Sequence, residues 1–153
     1  AEFRTRSGPE NTFHMGSSMG GLLSWYLVRN HADVFSACGC VSTHFALSAA
    51  DFSPSGNGDA TPYVLHDIAA GAALPANGRF YFDYGTQTLD ATYENDHQPV
   101  REWFLREGLV EGQDFVMRKF EGADHSERAW RARVGLQLEF LLAPTAAQEA
   151  ERD

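Results

Sequence analysis

Gly16-Ser17-Ser18-Met19-Gly20-Gly21 is the stretch whose reading decides the fold. It fits the pattern G-x-S-x-G, set between a strand and a helix. Residues 12–15 read as a short strand ending at Gly16, and residues 20–29 as the helix that follows. A serine on so sharp a turn projects above its sheet. Its neighbours must then be small, which Gly16, Gly20 and Gly21 supply. The helix behind Ser18 aims free backbone N–H groups at the same point. Leu22, Leu23, Trp25, Tyr26, Leu27 and Val28 make that helix apolar almost all round, which predicts burial.

Working outward, strands and helices keep alternating. Residues 37–42 read as a second strand. Residues 61–70 read as a helix, capped by Thr61, with Pro62 at its first position and Gly71 as its stop. In residues 79–84, Phe80, Phe82 and Tyr84 alternate with Tyr81 and Asp83, the period of a third strand. A helix over residues 96–107 carries Val100, Trp103 and Phe104 on one stripe, with Asp96 as cap and Pro99 confined to the first turn. Residues 115–120 form a fourth strand. Residues 126–142 form the last helix, where Trp130, Val134, Leu138 and Leu141 keep three-to-four spacing. The expected class is α/β: a mostly parallel sheet flanked by helices, in a single domain over residues 1–143. Residues 51–59 read as an exposed loop and residues 144–153 as a flexible tail.

Composition narrows the function. The 153 residues carry a net charge of −9, which argues against nucleic acid, since phosphate binding needs a basic surface. With 43% hydrophobic and 22% charged residues, the chain is too apolar for disorder. No apolar run approaches the roughly 20 residues that span a bilayer, so no membrane is expected. Cys38 and Cys40 read as small buried residues, which fits a reducing, cytoplasmic setting. No H-E-x-x-H or C-x-x-C spacing occurs, so neither a metal nor any other cofactor is expected. The first residues do not read as a signal peptide, and Ala1-Glu2-Phe3 leaves room for a natural start farther upstream.

A serine hydroxyl is a poor nucleophile until a base takes its proton. Of the six histidines, His125 lies in Gly122-Ala123-Asp124-His125-Ser126, between the last strand and the last helix, where a base belongs in the order serine, acid, histidine. His14, His31, His66 and His97 fall at strand or helix positions that explain them structurally. His44 follows the second strand and is expected to touch substrate. The acid belongs after the third strand. Asp90 is the first choice there, because a carboxylate in that loop can orient the imidazole, and Asp83 inside the strand is its rival. The N–H of Met19 is expected to donate to an oxyanion, with Ser17 beside it in the binding region.

His14-Met15-Gly16-Ser17-Ser18-Met19-Gly20-Gly21-Leu22, with Asp83-Tyr84-Gly85-Thr86, Leu89-Asp90-Ala91 and Gly122-Ala123-Asp124-His125-Ser126-Glu127, resembles the α/β-hydrolase superfamily. Within it, the chain is similar to the esterase family that includes esterase D, feruloyl esterases and enterobactin esterases. The likeness runs from about Arg4 to Leu142. It implies a serine hydrolase that cleaves carboxylic esters through Ser18, Asp90 and His125. Many members place the acid nearer the glycine, at the position of Thr88 here.

Members of that family carry several strands and helices before the serine strand, whereas only eleven residues precede Thr12. The resemblance therefore implies a reduced α/β-hydrolase-like sheet, without the loop that supplies the second oxyanion N–H. It leaves the serine strand's edge and the apolar helix open, so a homodimer covering that side is expected. Two other readings remain at this point. One is a half-domain with little or no activity, held together by self-association; the other is an acyltransferase built on the same triad.

Overall fold

In the computed structural model, residues 5–55, 58–71 and 73–144 are described. The chain runs β1 (Phe13–Ser17), α1 (Met19–Asn30), β2 (Ala37–Val41), α2 (Tyr63–Ala69), β3 (Arg79–Gly85), α3 (Glu94–Arg106), β4 (Phe115–Phe120) and α4 (Glu127–Leu142). The strands lie in the order β1-β2-β3-β4, every pair parallel. Parallel neighbours need crossovers, and the intervening helices provide them. Ser17, Val41 and Asp83 stand in one register row. The chain therefore leaves the first three strands at one level, and the loops that follow them meet above the sheet.

Alternation along the strands sorts side chains onto two faces. Cys38, Cys40, Phe80, Phe82 and Phe115 face α1, α2 and α3 in the larger core cluster. Trp25 is its hub, meeting Phe45, Phe80, Phe82, Trp103 and Phe104 edge to face, with ring centroids 5.7–6.4 Å apart. Such pairs add about 0.5–1.5 kcal/mol each beyond the area they bury. On the opposite face Ala37 and Tyr81 pack against Leu136, Phe140 and Leu141 of α4. Among the described residues no helix is long and apolar enough to cross a membrane.

The elements fall where hydrophobic periodicity puts them, and the departures from expectation have physical causes. Only one face of α1 is buried, through Gly21, Ser24, Trp25 and Val28; Leu23 and Tyr26 are 49% and 54% exposed. On α4 Leu141 is buried as expected, but Val134 and Leu138 are partly exposed, and Arg133 and Gln137, one residue before each, are buried in their place. Two polar side chains take the inward positions, because a buried carboxylate on β3 meets one of them.

Glu94 begins α3, so Asp96 lies inside its first turn rather than capping it, and Pro99 falls in the second turn. Pro62, not Thr61, precedes the first residue of α2, and the Thr61 N–H is held by the Asp59 carboxylate at 2.8 Å. The loop expected over 51–59 begins inside a 3-10 turn, Ala49–Phe52, in which Asp51 accepts from the Ser48 N–H at 2.7 Å. The glycines around Ser18 do not all need to be small. A side chain at Gly16 would strike the Gly20 backbone, and one at Gly21 would strike Thr43, but Gly20 has open space. Residues 145–153, expected as a tail, lie outside the described residues.

Candidate active site

Ser18 sits between β1 and α1 with φ 55° and ψ −120°. Such a backbone strains any residue that carries a Cβ and persists only where the surroundings dictate it. Here the Ser18 N–H bonds the Val41 carbonyl at 2.8 Å, and its own carbonyl accepts from Leu22 and His44 N–H groups. The hydroxyl is thereby held above the strand ends. Met19 opens α1, so its N–H belongs to the first turn, which has no acceptor inside the helix.

Two other strained residues adjoin the site. Among the described non-glycine residues, φ is positive at Ser18, Ser42, Asn77 and Thr88. Ser42 follows β2 directly, and Thr88 follows β3 by three residues. The Thr88 hydroxyl accepts the His125 N–H at 2.9 Å. Thr86 and Gln87 N–H groups donate to the Ala123 carbonyl at 3.0 Å, and Gly122 N–H donates to the Thr86 hydroxyl at 2.8 Å. The loops after β3 and β4 are thus laced together, which sets the height of the imidazole.

The structure brings three of the expected residues into one chain of hydrogen bonds. Ser18 Oγ lies 2.9 Å from His125 Nε2, and His125 Nδ1 lies 2.5 Å from Asp90 Oδ1. Asp90, fully buried, sits in a 3-10 segment, Thr88–Thr92. Its Oδ2 accepts from the Gly85 N–H at 2.6 Å and the Ser42 hydroxyl at 2.5 Å. Two aromatic rings, Trp130 and Tyr93, stand perpendicular to the imidazole, with centroids 5.0 and 5.8 Å away.

Asp83 takes another place. Its Oδ1 accepts from Arg133 Nε at 3.0 Å and from the Ser42 N–H at 3.4 Å, and no hydrogen bond joins it to His125. Burial pushes its carboxyl up to about 6, and the Arg133 guanidinium opposes that rise. Ser17 ends β1 in register with Val41; it precedes Ser18 in sequence but is not part of the hydrogen-bonded chain. The His44 imidazole pairs through Nδ1 with the Tyr93 hydroxyl at 2.8 Å, one ring away from His125.

The remaining histidines have structural partners. His14 Nδ1 meets the Ser24 hydroxyl at 2.8 Å, His31 follows the last turn of α1, and His66 pairs with Asp59. His97 is fully buried among aromatic rings, and loss of hydration pulls its imidazole down to about 4.

Sequence reading missed Ser42, Tyr93, Trp130 and Arg133 at this site. For Arg133 a signal existed. An aspartate inside an alternating apolar strand and an arginine three residues beyond Trp130 on an apolar helix form a pair of opposite charges at inward positions.

A parallel sheet with a strained serine between strand and helix, a histidine after the last strand and a buried carboxylate beside it defines an α/β-hydrolase-like fold and site. The chain belongs to the esterase family, whose model, described as "Esterase: Putative esterase", matches residues 1–140. No curated protein matches it. Among solved structures it is similar to S-formylglutathione hydrolase from Staphylococcus aureus, at 17% identity and TM-score 0.63, covering 93% of this chain and 55% of that one. It is similar to the enterobactin esterase from Shigella flexneri, at 19% identity and TM-score 0.68, covering 92% and 33%. A ferulic acid esterase matches at 14% identity and TM-score 0.59, covering 88% and 52%. The chain thus spans about half, or less, of each of these proteins.

Proposed function

We propose that this protein is a serine hydrolase that cleaves carboxylic esters through a Ser18–His125–Asp90 triad. The observation that carries the reading is the continuous chain Ser18 Oγ, His125 Nε2 and Nδ1, Asp90 Oδ1, drawn from loops after three different strands. In this reading Ser18 Oγ attacks the acyl carbonyl while His125 Nε2 takes its proton. The oxyanion of the tetrahedral intermediate accepts from the Met19 N–H. Collapse expels the alcohol, which leaves with the proton held by His125. Water, deprotonated by the same nitrogen, then releases the acid from Ser18. Asp90 orients the ring and balances the charge it gains.

The substrate is a small-molecule ester, and His44 and Ser17 border the place it would occupy. Buried, unbridged Cys38 and Cys40 suit a cytoplasmic enzyme. A second copy of the chain is proposed to cover the β1 edge and the outer face of α1, where Met19, Leu23 and Tyr26 are exposed. A monomeric mass in sedimentation at micromolar concentration would rule that dimer out.

The direct test is Ser18→Ala. Wild-type protein is expected to cleave a short-chain aryl ester and to react covalently with a fluorophosphonate. The variant should lose turnover by roughly 10⁴- to 10⁶-fold and take up no label. Wild-type turnover in the variant overturns the assignment.

A further inference from the structure

We propose that Ser42 and Arg133 are positioning residues that lock the protonation pattern of the triad by leaving the Ser42 hydroxyl hydrogen only one place to go. The proposal rests on the ester-hydrolase reading for its purpose but on separate atoms for its evidence. A serine hydroxyl has one hydrogen to give and two lone pairs to fill. Trp130 Nε1 donates to Ser42 Oγ at 3.0 Å and Arg133 Nη2 donates to it at 2.7 Å. Neither donor can act as an acceptor. Both lone pairs are therefore occupied, and the single O–H points at Asp90 Oδ2, 2.5 Å away.

The Gly85 N–H also donates to Oδ2, at 2.6 Å. An oxygen that already accepts two donors has no room for a proton of its own, so Oδ2 of Asp90 serves only as an acceptor. Its other oxygen then accepts from His125 Nδ1–H, which leaves the lone pair of the ring on Nε2, facing Ser18. The tautomer a general base requires follows from a hydrogen-bond order that begins on α4, two residues removed from the imidazole.

Arg133 adds charge to this order. Its guanidinium lies 3.9 Å from Asp90 Oδ2 and is bonded to Asp83, so one cation serves two buried carboxylates. Ser42 is held in turn by its backbone, whose N–H bonds the Asp83 carbonyl at 2.8 Å with φ at 42°. The groups adjoining Asp90 and His125 are Arg133 and Trp130 from α4, Ser42 from the loop after β2, Tyr93 and His97 at and within α3, and Ser18; one step farther, His44 is paired with Tyr93, Asp83 with Arg133, and Asp124 with Ser126 and Arg128.

The test is the titration of His125 in the full chain, read by NMR of the imidazole ring and identified by the signal lost in His125→Gln. Removing the Ser42 hydroxyl or the Arg133 charge concentrates negative charge on Asp90 and favours the imidazolium. The midpoint should rise by roughly one pH unit in Ser42→Ala and in Arg133→Met, while Ser42→Thr keeps the wild-type midpoint. The acidic limb of ester turnover should move with it, which a merely structural loss would not produce. If Arg133→Met does not fold, Ser42→Ala decides alone. Unmoved midpoints in folded variants overturn the wiring, even if wild type takes up fluorophosphonate. Shifted midpoints in a chain whose wild type takes up no label support the wiring and overturn the ester-hydrolase reading instead.

Discussion

The two ends of the proposed triad are built by different means. Around the Asp90 carboxylate the surroundings are interior: β3 is buried from Phe80 to Gly85, and the carboxylate is held by a backbone amide, a hydroxyl and an imidazole. Around Ser18 the sheet ends. Each residue of β1 is half-exposed, whereas each residue of β2 is buried, and β1 pairs with β2 alone among the described residues. Asp90 and His125 are placed by packing and polar saturation. Ser18 is placed by a backbone turn, in which Gly16 lets the chain pass the carbonyl of Gly20. In the proposed reading, chemistry that needs a fixed ring orientation is anchored on the buried side, and the hydroxyl that must meet substrate stands at the margin.

The largest test of this contrast compares the two aspartates. Asp90→Asn is expected to lower ester turnover by about 10⁴-fold, because an amide can present its N–H to the ring and reverse the tautomer. Asp83→Asn should lower it by less than about 10-fold on the same principle, because Asp83 holds Arg133 and not the ring. The reverse ranking would exchange their roles.

Within α1 the contrast becomes one of stability. Trp25→Ala empties the hub of the core and should cost about 3–5 kcal/mol in denaturant unfolding. Leu23→Gln, two residues earlier on the face proposed to meet a second copy, should stay within about 0.5 kcal/mol at dilutions where the chain is a monomer. Equal losses in the monomer would show that the outer face of α1 is covered within the chain itself.

The third test uses pH. The Asp83 carboxyl, raised by burial to about 6, binds its proton more tightly folded than unfolded, so its contribution makes stability fall as pH rises from about 4 to 6. His97, lowered by burial to about 4, binds its proton less tightly folded, so its contribution makes stability rise from pH 4 to about 6.5. The two oppose each other over nearly the same range. Asp83→Asn should therefore steepen the rise of unfolding free energy between pH 4 and 6.5, and His97→Gln should turn it into a fall. Urea titrations at half-unit steps would measure both slopes, and identical slopes in the two variants would refute the opposition.

Much of the fold is legible because it rests on local periodicity. Phe80, Phe82 and Tyr84 alternate with Tyr81 and Asp83 and lie in a strand, and Val100, Trp103 and Phe104 share a stripe because helical spacing puts them there. Ser18 and His125 are legible because the glycines around one, and the turn that carries the other, mark loops between unlike elements. What periodicity cannot show is which polar side chain has a buried partner from a distant segment. Arg133 looks like a solvated neighbour of Val134 until Asp83, fifty residues earlier, is placed across from it. The exposure of Leu23 and Tyr26 is equally non-local, since it depends on what does not pack against α1.

The left-handed backbone at Ser18, Ser42 and Thr88 bears on any attempt to make this protein hardier. Glycine at 42 or 88 would relax the main chain by about 1 kcal/mol. Each would also delete a hydroxyl, one bonded to Asp90, Trp130 and Arg133 and the other to the amide of His125, and a buried polar group left without its partner costs about 1–3 kcal/mol. The strain at these two positions is outweighed by the bonds it holds in place, so thermal improvement is better sought on the far side of the sheet, away from the strand ends.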